Sequence, residues 1–206
     1  MSLLKQFGNQ ILPNVLNKLG DSRWFVKRNM LYLLGELYNP DIIPHVKLYC
    51  HHKNLRVSFE AIKCLIKLND RYGIEEVRNS LYSKSNEIVD QALALVAAFR
   101  IKELVPDLVH LLRRKSYSGE DLYNKIPVVK ALGEIGDIKA LEPLSDVLSE
   151  KRFFFKGTSE QLKEEIYKTL KKYPHEHINH FIETGLKSKN KTIQRESLKL
   201  QKERVV

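Results

Sequence analysis

The sequence predicts an all-α protein, an α-α superhelical solenoid in which short helix pairs stack one on the next. Three observations lead there. A proline-centred apolar segment recurs at regular steps along the 206 residues. A second segment follows each of these, with apolar residues at i, i+4, i+7, i+8 and i+11, as at Val26, Met30, Leu33, Leu34 and Leu37. That spacing is a helical stripe and not the alternation of a strand.

The first segment is QILPNVLNKL at Pro13, DIIPHVKLY at Pro44, ELVPDLVHLL at Pro106 and KALEPLSDVL at Pro143. Glu75 in YGIEEVRNSL and His180 in HINHFIETGL complete the series, which then has six members at intervals of 31, 31, 31, 37 and 37 residues. Each is read as the first helix of a pair. The second helix is read at 24–37, 55–68, 87–99, 124–135, 160–173 and 191–204. Leu, Ala, Lys, Glu and Ile dominate these spans, and glycine is rare inside them, as helices require.

The pairs follow in order as repeats at approximately 10–39, 40–70, 71–101, 102–137, 138–174 and 175–206, forming a single array over 1–206. Pro44, Pro106 and Pro143 fall in the first turn of a first helix, where a missing N–H costs little. Pro40 and Pro174 fall at junctions and Pro127 at the start of a second helix, so that no proline is expected in a helix interior. Asn54, Asn86 and Asn190 stand where a side-chain oxygen caps a second helix. Residues 1–9 carry Leu3, Leu4 and Phe7 in the pattern of a helix end, and are expected to be the remnant of a preceding repeat. The final helix is the most polar, as the cap of an array should be.

Composition narrows the function classes. The net charge is +10, and residues 1–40, 41–101, 102–137, 138–174 and 175–206 carry +3, +2, 0, +2 and +3. No basic tail stands out, so any anion-binding surface has to be assembled in space. The longest apolar run, Ala92 to Phe99, is far too short to span a bilayer, and no membrane partner is expected on that ground. Cys50 and Cys64 match no metal spacing or disulfide framework. They read as half-buried thiols in a reducing, cytoplasmic setting.

Two stretches carry a family likeness. Arg23-Trp24-Phe25-Val26-Lys27-Arg28-Asn29 runs into Leu34-Gly35-Glu36-Leu37-Tyr38-Asn39-Pro40. Ala131-Leu132-Gly133-Glu134-Ile135-Gly136-Asp137 repeats the leucine-glycine helix end and turn acid. In these the chain resembles the HEAT-repeat superfamily, most nearly the short bacterial PBS-lyase HEAT-like repeats. The resemblance covers essentially the whole chain. It implies the solenoid fold and says little about function.

Enzyme signatures are scarce: GxSxG, a Gly-rich phosphate loop with Lys-Ser or Lys-Thr, and HExxH do not occur. His175, His177 and His180 with Glu176 could ligate zinc or nickel. On a helix, however, His175 points away from the other two. No metal, no cofactor and no catalytic residue is therefore expected.

Binding residues are read from columns. Aligning the second helices puts Tyr32, Lys63, Ala94, Lys130, Lys168 and Lys199 in register, with Glu36, Lys67, Ala98, Glu134, Lys172 and Glu203 beside them. Lys63, Lys130, Lys168 and Lys199 would form a basic stripe. Trp24 and Arg28 open the first complete second helix. The two longer repeats carry inserts that pair basic and aromatic residues: Arg113 and Arg114 near Tyr117, and Lys151 and Arg152 before Phe153, Phe154 and Phe155. Inserts at one point of a repeat project from one edge of a solenoid. At least one of the three phenylalanines is expected to be buried.

The expected function is a non-catalytic protein–protein interaction scaffold. It would hold an acidic protein partner through the second-helix face and the basic, aromatic loop edge. The alternative is nucleic-acid binding. A resemblance to HEAT-like alkylpurine DNA glycosylases would imply tryptophans around an extruded base and a catalytic aspartate. Here Trp24 is the only Trp, and Asp90 the only Asp within a second helix. The sequence leaves the oligomeric state open.

Overall fold

A computed structural model describes residues 8–150 and 153–203. All regular structure among them is helical. In chain order the helices are α1 (Gly8–Lys18), α2 (Trp24–Leu37), α3 (Ile43–Lys47), α4 (Leu55–Lys67), α5 (Arg71–Leu81) and α6 (Asn86–Phe99). There follow α7 (Val105–Arg113), α8 (Gly119–Tyr123), α9 (Lys125–Ile135), α10 (Leu141–Ser149), α11 (Lys156–Thr169), α12 (His175–Leu186) and α13 (Lys191–Glu203). The class is an all-α stack of helix pairs. Leu3, Leu4 and Phe7 lie outside the described residues, as do Lys151 and Arg152.

The chain forms two compact units, Met1–Leu95 and Val96–Val206, with the boundary inside α6. In the first, α4 packs against α2, α3 and α5, and α1 packs on α2. Its core is the apolar stripe of these helices, including Leu31, Leu34, Ile42, Val57, Leu65 and Leu81. In the second, α9 packs against α7 and α11, and α13 against α11 and α12. Leu108, Leu112, Leu132, Leu144, Ile166 and Ile178 fill that core. Cys50 and Cys64 are both buried and unpaired, and burial pushes each thiol up to about 12. Both are therefore neutral and unreactive near pH 7.

Pro44 and Pro106 occupy the second position of α3 and α7, and Pro143 the third of α10. Pro13 departs from the expectation, standing inside α1 as its sixth residue. The helix starts at Gly8, upstream of the apolar segment, so the proline no longer falls in the opening turn. Asn54 accepts from the Arg56 N–H at 3.0 Å, and Asn190 from Thr192 at 2.9 Å. Asn86 is the first residue of α6 rather than its cap, and the Ser85 carbonyl accepts from Ile88 and Val89.

One device ends four successive second helices. Tyr38, Asn69, Arg100 and Gly136 all adopt left-handed backbone, with φ of 54°, 56°, 49° and 69°. The next residue caps the following helix in three cases. Asn39, Asp70 and Asp137 each accept the N–H two residues on, at 2.9, 2.9 and 3.0 Å. Ile101, after Arg100, has no side chain to do so. Only Gly136 is free of the β-carbon penalty at this position. Arg100→Gly is therefore expected to stabilise the protein by about 0.5–1 kcal/mol, read as a higher urea midpoint. A lower midpoint would reject the strain.

Candidate partner-binding face

The second helices of the first unit build the most distinctive surface. Trp24 opens α2, and Arg28 and Tyr32 follow at successive turns on the same side. Arg56, Glu60 and Lys63 are spaced i, i+4 and i+7 on α4, and Gln91 and Leu95 i and i+4 on α6. Trp24, Arg28, Arg56, Glu60, Lys63 and Gln91 line one open cleft of about 470 Å³, with Phe59 and Leu95 as its apolar floor.

The electrostatics of this cleft are specific. Glu60 is buried, with 8 % of its surface exposed. Its carboxylate lies 3.6 Å from Arg28 Nε and 3.5 Å from Lys63 Nζ. The Arg56 guanidinium sits 5.1 Å above the Trp24 ring and has no anionic partner among the described residues. The edge of Phe25 meets Trp24 at 6.0 Å. Lys63 and Lys67 stand 5.8 and 5.3 Å over the Tyr32 ring. Two cations thus share one carboxylate while a third, Arg56, has none, and two aromatic faces lie under the cationic groups.

Of the residues read from sequence, Trp24, Arg28 and Lys63 converge here. Lys130, Lys168 and Lys199 are exposed on the second unit. Lys168 meets Glu165 at 3.7 Å and Lys199 meets Glu196 at 2.9 Å, each one turn back on its own helix. Lys130, with Pro127 at that position, has no ion-pair partner among the described residues. The neighbouring column pairs across helices: Lys67 with Glu36, and Lys172 with Glu134 at 3.1 Å. The lysine column therefore carries most of its own counter-charge. The signal for this is in the sequence, in the column three residues before the lysines, where Glu60, Glu165 and Glu196 recur. Arg56 is the site residue that column alignment missed, because its stacking on Trp24 is a tertiary contact.

The second insert departs from expectation. The first leads into α8, whose start is a capping box. Asp121 N–H donates to Ser118 Oγ at 3.0 Å, and the Asp121 carboxylate accepts from the Tyr117 and Ser118 N–H groups at 2.8 and 2.9 Å. Those backbone N–H groups hold the Asp121 carboxyl below its usual range. Arg113 pairs with Asp146 at 2.9 Å, and Arg114 is exposed. In the second insert none of the phenylalanines is buried: Phe153, Phe154 and Phe155 are 86, 77 and 48 % exposed. Helix α11 begins at Lys156, earlier than its apolar pattern suggests.

A second cleft of about 490 Å³, in the second unit, is lined in part by Glu150, Lys156, Glu160 and Lys163. Its lining holds as many carboxylates as cations, so it lacks the cationic excess of the first. His177 lies 3.5 Å from Glu176, and His180 packs edge-on to Phe181. Among the described residues no three His, Cys, Asp or Glu side chains gather as a metal site would need, and no helix is long and apolar enough to cross a membrane.

No known family model matches the chain, and no curated protein matches it. Among solved structures it is similar to a designed armadillo repeat protein, at 15% identity over 93% of this chain and 98% of that one, with a TM-score of 0.47. It is also similar to the complex of CpcE and CpcF of phycocyanin lyase from Nostoc sp., at 14% identity over 89% of this chain and 73% of that one, with a TM-score of 0.49.

Proposed function

We propose that this protein is a non-catalytic interaction module that holds an acidic partner protein on the second-helix face of its first unit. The convergence of Trp24, Arg28, Arg56 and Lys63 on one cleft around a single carboxylate carries this reading. Arg56 offers a planar fork, already oriented by the indole, to a carboxylate of the partner. Trp24 offers apolar surface beside it, the pairing of aromatic and arginine found at binding hot spots. Glu60 keeps Arg28 and Lys63 apart and in place until partner carboxylates compete for them. The resemblance to HEAT-like repeats agrees with a scaffold role, and the net charge of +10 adds long-range attraction for an acidic surface.

The test is a fluorescence-anisotropy titration of a labelled Glu- and Asp-rich helical peptide at two salt concentrations, beside duplex DNA, single-stranded DNA and RNA. Saturable peptide binding that weakens only modestly with salt is the expected result. Tighter binding to a nucleic acid, falling linearly in log salt, would overturn the proposal and establish the phosphate-binding alternative.

A further inference from the structure

The second unit carries a surface that the acidic-partner reading does not use. Its two inserts, which the 31-residue repeat does not need, hold its most exposed aromatic side chains. Phe153 and Phe154 are exposed just ahead of α11, and Tyr117 and Tyr123 are exposed beside and on α8. The inserts touch. Helix α8 packs on α11, and the Phe155 ring edge lies 3.4 Å from where a β-carbon on Gly119 would stand. Phe155 itself is held at φ 56°, a left-handed conformation that a bulky residue rarely adopts. Strain of this kind persists where the surroundings enforce it and tends to mark function. Here the third ring lies against the neighbouring insert, and the first two are exposed.

The same two inserts and the start of α11 carry cations. Arg114, Lys115 and Lys156 are exposed, and none has an anionic partner among the described residues. Of the two acids on α8, Asp121 is already taken up by the Tyr117 and Ser118 N–H groups.

We propose that this aromatic edge docks on the surface of an anionic bilayer, with Phe153 and Phe154 entering the interface and Arg114, Lys115 and Lys156 meeting the lipid head groups. Two neighbouring rings this exposed offer apolar surface for burial in another medium. An anionic bilayer supplies both chemistries the edge needs, hydrocarbon for the rings and negative charge for the cations. A second copy of the chain fits poorly, because each copy carries +10. No spanning segment is required, so the shortness of the apolar runs does not oppose this.

The experiment is flotation of the full chain with phosphatidylcholine vesicles, with and without phosphatidylserine. The wild type is expected to float with the phosphatidylserine vesicles and only weakly without them. Phe153→Ser with Phe154→Ser should lower the partition by at least about tenfold while leaving the urea midpoint unchanged, because neither ring is in the core. Arg114→Glu with Lys156→Glu should lower it as well, and more so at low salt. Absence of flotation, equal flotation on neutral vesicles, or an undiminished phenylalanine variant would each overturn the proposal. So would self-association in sedimentation velocity that the phenylalanine variant abolishes, which would assign the edge to a second copy.

Discussion

Gly185→Ala is expected to cost the second unit about 3 kcal/mol, the upper end of what overpacking a core commonly does. The glycine lies on α12 where that helix crosses α13 and α11. A β-carbon there would stand 2.0 Å from Ser197 Oγ and 2.5 Å from Cε1 of Tyr167. Ser197 is fully buried and its hydroxyl has no hydrogen-bond partner, so rotating it relieves one contact. The tyrosine cannot follow as easily. Its ring is almost wholly buried, and its hydroxyl donates to the Phe181 carbonyl at 3.1 Å. Moving the ring breaks that bond and leaves a buried carbonyl to be satisfied elsewhere. Urea denaturation reads the effect. Gly157→Ala is the control, since nothing stands within 4 Å of its β-carbon position near the start of α11. It should be neutral or stabilising by a few tenths of a kcal/mol. Equal midpoints for the two alanine variants would show that the three helices are not packed as described.

The second large effect concerns the cleft. Arg56→Glu is expected to weaken binding of the acidic peptide about a hundredfold at low salt, because it removes the one cation without a carboxylate and adds repulsion. Raising the salt should shrink that loss. Trp24→Ala should cost at least about tenfold, and its loss should hold as salt rises, because the indole contributes contact area and the stacking platform for Arg56. The two changes should not add, since the arginine depends on the ring beneath it. Trp24 is about one-third exposed, so its removal leaves the core intact, and circular dichroism should show an unaltered helix content. Full affinity in both variants would remove the cleft from the binding surface.

The repeat was legible in the sequence because it is written in local chemistry. Proline at the head of a first helix and a turn acid after a second one act within a few residues, as Pro44, Pro106 and Asp137 do. The left-handed joints were legible only at Gly136. Tyr38 and Arg100 hold the same backbone without the residue that advertises it, because packing of the flanking helices outweighs a penalty of about 1 kcal/mol. At the cleft, Trp24, Arg28 and Lys63 could be named from their positions on the second helices. The role of Glu60 could not, since it depends on α2 and α4 lying side by side. The fate of the phenylalanines turned on where α11 begins, and helix starts without a Ser, Thr, Asp or Asn cap leave little trace. Phe155 is such a start.

The joints also bear on how the chain reaches its fold. Their capping hydrogen bonds close over two residues, and each helix packs chiefly on neighbours near it in sequence. Little loop entropy is spent before contacts form, so folding should be fast and should begin in whichever adjacent pair meets first. The joints at Tyr38, Asn69 and Arg100 recur every 31 residues, and each is formed by a left-handed residue at the end of its helix. A gene duplication cut at two such joints would lengthen the protein by a whole repeat and leave every surviving joint intact. The natural step of change in this chain is therefore the helix pair, and binding surfaces can be added or retired one repeat at a time.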